Sequence, residues 1–107
     1  MVDVYEIVLT PQAREHIADI FRYLQENVSE DTARHVAEGI ANEIEKLEKF
    51  PTGLPIVHEI STEDEVYRFA LKWRYKIIFF VNEEDKTVEI IAVTHSSQDT
   101  DRLKDLI

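Results

Sequence analysis

Four basic side chains crowd one short stretch of this chain. Between Val66 and Asn82 lie Arg68, Lys72, Arg74 and Lys76, with no acid among them. The stretch carries +4 in a chain whose formal charge is −10, so the remainder carries −14. All four occupy even-numbered positions, and in extended chain successive side chains alternate between faces. One face is therefore expected to carry all four cations, walled by Trp73 and Tyr75. Such a group can form a small anion or partner site. The plainer expectation is that these charges keep a sheet edge from pairing with other chains.

Other chemistries find little material. The chain has no cysteine, which excludes thiolate metal sites, disulfides and thiol nucleophiles. His16, His35, His58 and His95 show no ligand spacing, so no metal site is expected. Gly39 and Gly53 are the only glycines and build no phosphate loop, and no cofactor is expected. Glu43, Glu45 and Glu48 read as solvated helix charges. Twelve Lys and Arg against twenty-two Asp and Glu disfavour binding of free nucleic acid, whose phosphates need a basic face. The start Met1-Val2-Asp3-Val4-Tyr5-Glu6 carries acid where a signal peptide carries base, and no apolar run approaches about 20 residues. A cytoplasmic chain without membrane contact is expected, with residues 1–107 forming one domain.

The elements that must position the cations can be read from hydrophobic spacing. Val4 to Leu9 reads as a strand. Thr10 caps a helix that opens on Pro11, with Ala13, Ile17, Ile20, Phe21, Leu24 and Val28 as its apolar stripe. Ser29 caps a second helix whose stripe is Ala33, Val36, Ala37, Ile40, Ile44 and Leu47. Gly39 sits inside that helix at a cost of about 1 kcal/mol, which suggests close approach by the first helix. The stop Phe50-Pro51-Thr52-Gly53-Leu54-Pro55 ends it, and the short break makes the two helices an antiparallel hairpin. Ile56 to His58 and Val66 to Leu71 read as short extended segments, Trp73 to Val81 as the strongest strand, and Thr87 to His95 as its hairpin return. Asp99 or Thr100 is expected to cap a last turn of helix carrying Leu103, Leu106 and Ile107. The expected fold is α+β, a two-layer β-α-α-β-β-β domain with the helical hairpin on one face of a mainly antiparallel sheet.

Strand parity then divides the sheet. Tyr75, Ile77, Phe79 and Val81 belong under the helices, whereas Arg74, Lys76, Ile78 and Phe80 fall on the face left open. His95 shares parity with Ile91 and Val93, hence the covered face, away from Lys76 unless a bulge intervenes. The expected partner-binding set is Arg68, Lys72, Trp73, Arg74, Lys76, Ile78 and Phe80. An exposed apolar patch there also invites self-association as a homodimer.

Several short motifs, in order, resemble one known family. Tyr5-Glu6-Ile7-Val8-Leu9-Thr10-Pro11-Gln12-Ala13, Asp19-Ile20-Phe21-Arg22-Tyr23-Leu24 and Ile44-Glu45-Lys46-Leu47-Glu48-Lys49-Phe50-Pro51 make up its N-terminal half. Tyr67-Arg68, Arg74-Tyr75-Lys76-Ile77-Ile78-Phe79-Phe80-Val81 and Val88-Glu89-Ile90-Ile91-Ala92-Val93-Thr94-His95 continue it. The sequence resembles the RelE/ParE toxin superfamily, more on the ParE or plasmid-stabilisation side. The resemblance implies a RelE-like fold and the toxin of a type II toxin–antitoxin pair, neutralised by a cognate antitoxin that engages the open face by a helix or an added strand.

Members of the superfamily divide by target. ParE-like members poison DNA gyrase, and RelE-like members cleave mRNA in the ribosome without a metal. As a nuclease, this chain would draw on Lys76, Arg74 and His95 as catalytic groups. Lys76 stands where the family usually has arginine and lacks the fork that grips phosphate. Ser96-Ser97-Gln98-Asp99-Thr100-Asp101 replaces the basic and aromatic tail of the ribonuclease members. A gyrase-type protein target is the leading expectation. An mRNA endonuclease is the second, and a non-toxic homologue that only binds a partner is the third.

Overall fold

The computed structural model describes residues 4–95. The expected final turn after Asp99 lies outside them. Strand β1 spans Glu6–Leu9, helix α1 Pro11–Asn27 and helix α2 Glu30–Glu45. Strands β2, β3 and β4 follow at Tyr67–Lys72, Tyr75–Asn82 and Thr87–His95. The sheet order is β1-β4-β3-β2, with β1 parallel to β4 and the other pairs antiparallel.

Both expected caps form. Thr10 Oγ1 accepts the Ala13 N–H at 3.2 Å, and Ser29 Oγ accepts the Thr32 N–H at 3.0 Å. Only Val28 and Ser29 separate the helices, so they fold back on each other. Val28, expected on the apolar stripe, is instead exposed in this turn. Ala13, Ile40, Ile44 and Leu47 pack with Ala70, Ile77, Phe79, Val88, Ile90 and Val93 in the main core.

Strand β1 pairs with β4 only as far as Leu9 and Ile90. Beyond that point the first turns of α1 serve the β4 edge. Thr10 Oγ1 donates to the Ile90 carbonyl at 2.7 Å, and Gln12 Nε2 donates to the Ile91 carbonyl at 2.9 Å. His16 Nδ1 accepts the Val93 N–H at 3.2 Å. Side chains of a helix thus continue a ladder that a strand began, which satisfies backbone groups that burial would otherwise penalise. Ile91 is an extra residue in β4 at the register shift beside Ile78 and Phe79. This bulge turns Ile91 to the same side as Ala92, so the parity expected to join it to Val93 breaks there.

The second face of the sheet is not bare. The segment from Pro55 to Ser61 crosses it and places Val57 and Ile60 on Tyr67, Ile78 and Ala92 as a second core. Ile78 is 0% exposed, and Phe80 packs at the margin of this cluster. The expectation of an open apolar stripe at Ile78 and Phe80 therefore fails. The strap is held by Val57 N–H on the Tyr67 carbonyl at 2.7 Å and by Phe69 N–H on the Pro55 carbonyl at 3.0 Å. Ser61 Oγ ties it further, accepting the Tyr67 N–H at 2.9 Å and donating to the Val57 carbonyl at 2.7 Å. Of the expected extended segment at Ile56–His58, a single bridge from Ile56 to Arg68 forms.

Candidate partner-binding surface

The four cations sit on the β2–β3 hairpin, but the hairpin divides them. Its loop is only Trp73 and Arg74, closed by the directly opposed pair Lys72 and Tyr75. Directly opposed residues point to the same face. Even positions of β2 therefore share a face with odd positions of β3. Arg68 and Lys72 lie on the helix side with Ala70, Tyr75 and Ile77, whereas Lys76 lies on the strap side with Phe69. Arg74 is at the turn and Trp73, expected within a strand, is there too. The single cationic face read from parity does not exist, because a two-residue turn reverses parity between its strands.

Three of the four cations have a defined setting. Arg68 Nη1 donates to the Leu54 carbonyl at 2.7 Å, binding the strap to β2. Lys72 Nζ lies 4.6 Å from the Trp73 ring centre, and Lys76 Nζ lies 4.6 Å from that of Phe69. Among the described residues, no carboxylate stands within ion-pair distance of Arg68, Lys72, Arg74 or Lys76. This sets the group apart in a chain with ten more acids than bases.

The outer edge of β2 borders a cleft of about 360 Å³. Lys46, Lys49, Phe50, Leu54, Phe69 and Leu71 line it. Phe50 is 70% exposed with a left-handed backbone (φ 56°), and Leu71 is 53% exposed. The strap takes the outward backbone groups of Tyr67 and the Phe69 N–H. By the alternation of an antiparallel strand, Leu71 offers the next outward N–H and carbonyl. Neither has a partner among the described residues. An unpaired edge beside an apolar cleft is a template for an added strand.

The candidate nuclease groups are not brought together. Tyr75 is opposed to His95 and Lys76 to Thr94, so His95 and Lys76 point to opposite faces. The His95 ring meets Tyr75 edge-on at 5.8 Å, beside His16, Asp19 and Ile20 in a depression of about 270 Å³. Burial pushes the Tyr75 phenol above its ordinary value, with a smaller contribution from Tyr23. His16 is committed through Nδ1, which accepts the Val93 N–H. That structural role carried no signal in histidine spacing.

Gly39 has a different neighbour from the one expected. The Trp73 indole, not α1, lies over it, and an added Cβ would overlap Cη2 and Cζ3 of that ring. The His35 ring lies 5.2 Å from the same indole. Among the described residues, no cluster of His, Cys, Asp or Glu could hold a metal ion, and no helix is long and apolar enough to cross a membrane.

Comparison with known proteins agrees with this geometry. The family described as the ParE toxin of the type II toxin–antitoxin system parDE matches residues 7–100. A chain of the chromosomal ParDE toxin–antitoxin system from P. aeruginosa superposes with a TM-score of 0.70 at 12% identity, covering 87% of this chain and 97% of that one. A chain of the toxin–antitoxin complex RelBE2 from Mycobacterium tuberculosis gives 0.57 at 18% identity, covering 89% and 94%. No curated protein matches the sequence. The likeness to solved structures establishes the RelE/ParE fold, and the family match extends over nearly all of the chain: it belongs to the ParE toxin family of type II toxin–antitoxin systems.

Proposed function

We propose that this toxin acts in the cytoplasm by binding a protein target, with DNA gyrase the target that its ParE character implies, and that a cognate antitoxin neutralises it along the outer edge of β2. The observation that carries the antitoxin reading is the juxtaposition of Leu71's unpaired backbone groups with an apolar cleft whose rim carries Lys49 and the Lys46–Glu43 ion pair at 3.4 Å. An extended segment with apolar side chains and an acid placed at Lys49 fits both the edge and the cleft. The separation of Lys76 from His95 supports a binding mode of action over RNA cleavage, which needs a cation and a proton donor around one phosphate. The net charge of −10 supports it too, since a ribosomal nuclease must approach dense phosphate.

The test has two arms. Expression should arrest growth, and co-expression of the short gene adjacent to this one should restore it. Purified protein should then inhibit gyrase-catalysed supercoiling while leaving ribosome-bound mRNA intact. Site-specific mRNA cuts with unchanged supercoiling would assign the endonuclease reading instead. Harmless expression without the partner would leave a homologue that binds and does not poison.

A further inference from the structure

The tip of the β2–β3 hairpin combines two locally unfavourable choices. Trp73 adopts a left-handed backbone (φ 52°), a position that two-residue hairpins ordinarily give to asparagine, aspartate or glycine. Gly39 occupies the interior of α2, where alanine is preferred. The two meet in one contact, because the notch at Gly39 is what admits the indole. Strained positions persist where the surroundings over-determine them, and they gather at functional sites.

Packing alone does not account for this contact, since Trp73 remains 50% exposed. What the arrangement achieves is orientation. A rigid aromatic face is held beside Lys72, with Arg74 next along the turn and His35 at its side. Neither Lys72 nor Arg74 has a carboxylate partner among the described residues. Tryptophan and arginine in a pre-oriented setting are the residues that most often anchor protein interfaces.

We propose that the Lys72–Trp73–Arg74 tip is a docking surface for an acidic protein segment, which lays an apolar side chain on the indole and carboxylates on the two cations. The charge −14 outside the Val66–Asn82 stretch opposes a polyphosphate more than a short segment with few acids. Binding of single-stranded nucleic acid uses successive aromatic platforms, and this tip offers one indole. The tip shares no lining residue with the cleft at Leu71, so either surface can fail without the other.

Trp73 is the sole tryptophan of the chain, so its emission reports the tip directly. The probes are acidic peptides of about ten residues, each carrying one leucine or phenylalanine, titrated into the full chain. A saturable shift of emission to shorter wavelengths is expected from members of the panel, with none from lysine-rich counterparts. Replacing both Lys72→Ala and Arg74→Ala should weaken binding by about tenfold while the far-ultraviolet circular dichroism stays unchanged. Gly39→Ala, which dislodges the indole, should weaken it as well. The proposal is overturned if no peptide gives a saturable shift or if the double variant binds as tightly as the parent. It is also overturned if oligodeoxythymidylate, and not the peptides, saturates the signal.

Discussion

Lys76 and His95 stand on opposite faces of one sheet, although their strands are adjacent and their cross-strand partners, Thr94 and Tyr75, are sequence neighbours of the other residue. Two groups so placed cannot attend the same phosphate without breaking the β3–β4 ladder. His95→Ala should therefore leave growth arrest intact to within about twofold, because the ring contacts Tyr75 on the face of the sheet turned away from Lys76. Growth curves after induction check this. Loss of toxicity with His95→Ala, together with loss of site-specific mRNA cuts, would restore a catalytic role.

Thr94 presents a cleaner thermodynamic test. It is 7% exposed, and its Oγ1 has no hydrogen-bond partner among the described residues. A buried hydroxyl without a partner costs about 1–3 kcal/mol, and valine has the same shape without it. Thr94→Val should raise unfolding free energy by about 1 kcal/mol in urea denaturation.

Gly39→Ala sets two effects against each other. Alanine in a helix interior gains about 1 kcal/mol over glycine. Its methyl group, however, occupies the space of the Trp73 ring, whose free end must swing away from α2. Stability should change by less than about 1 kcal/mol, while tryptophan emission moves to longer wavelengths as the indole meets water. An unchanged emission maximum would show that the ring never needed the notch.

Alkaline pH should weaken the fold through two phenols. Burial pushes Tyr67 above the ordinary tyrosine value of 10.0, helped by its hydrogen bond to Glu65 and by the charges of Glu65 and Glu89. Tyr75 is raised in the same direction, again chiefly by burial. Both groups keep their protons to higher pH in the folded chain than in the unfolded one. Their contribution is thus complete below the unfolded value and is lost as pH rises through the folded values. Urea midpoints should fall above about pH 10, and Tyr67→Phe should show a shallower fall than the parent.

Much of the architecture was legible in local chemistry. Thr10 and Ser29 each had a short oxygen followed by an apolar stripe, and both cap as their positions imply. Tyr75, Ile77, Phe79 and Val81 alternate over one strand and pack toward the helices. Four features resisted reading, one because it depends on the length of a turn and the others because they depend on distant partners. Even numbering implies one face for the four cations, yet the two-residue turn at Trp73 and Arg74 reverses parity, which separates Lys72 from Lys76. The burial of Ile78 required knowing that Val57 and Ile60, eighteen and fifteen positions before the start of β3, return across the sheet. Gly39 announced a close approach without naming the residue that makes it. His16 carried a backbone hydrogen bond that no spacing rule would reveal.

In the proposed mode of neutralisation the edge of β2 is the decisive surface, and amide hydrogen exchange reads it residue by residue. In the free protein the Leu71 amide should exchange readily, in contrast to the amides of Tyr67 and Phe69, which the strap already engages. Adding the cognate antitoxin should slow Leu71 by at least about tenfold as an incoming strand takes its N–H. A saturated complex in which Leu71 exchanges as fast as before, with protection confined to other surfaces, would contradict docking at this edge.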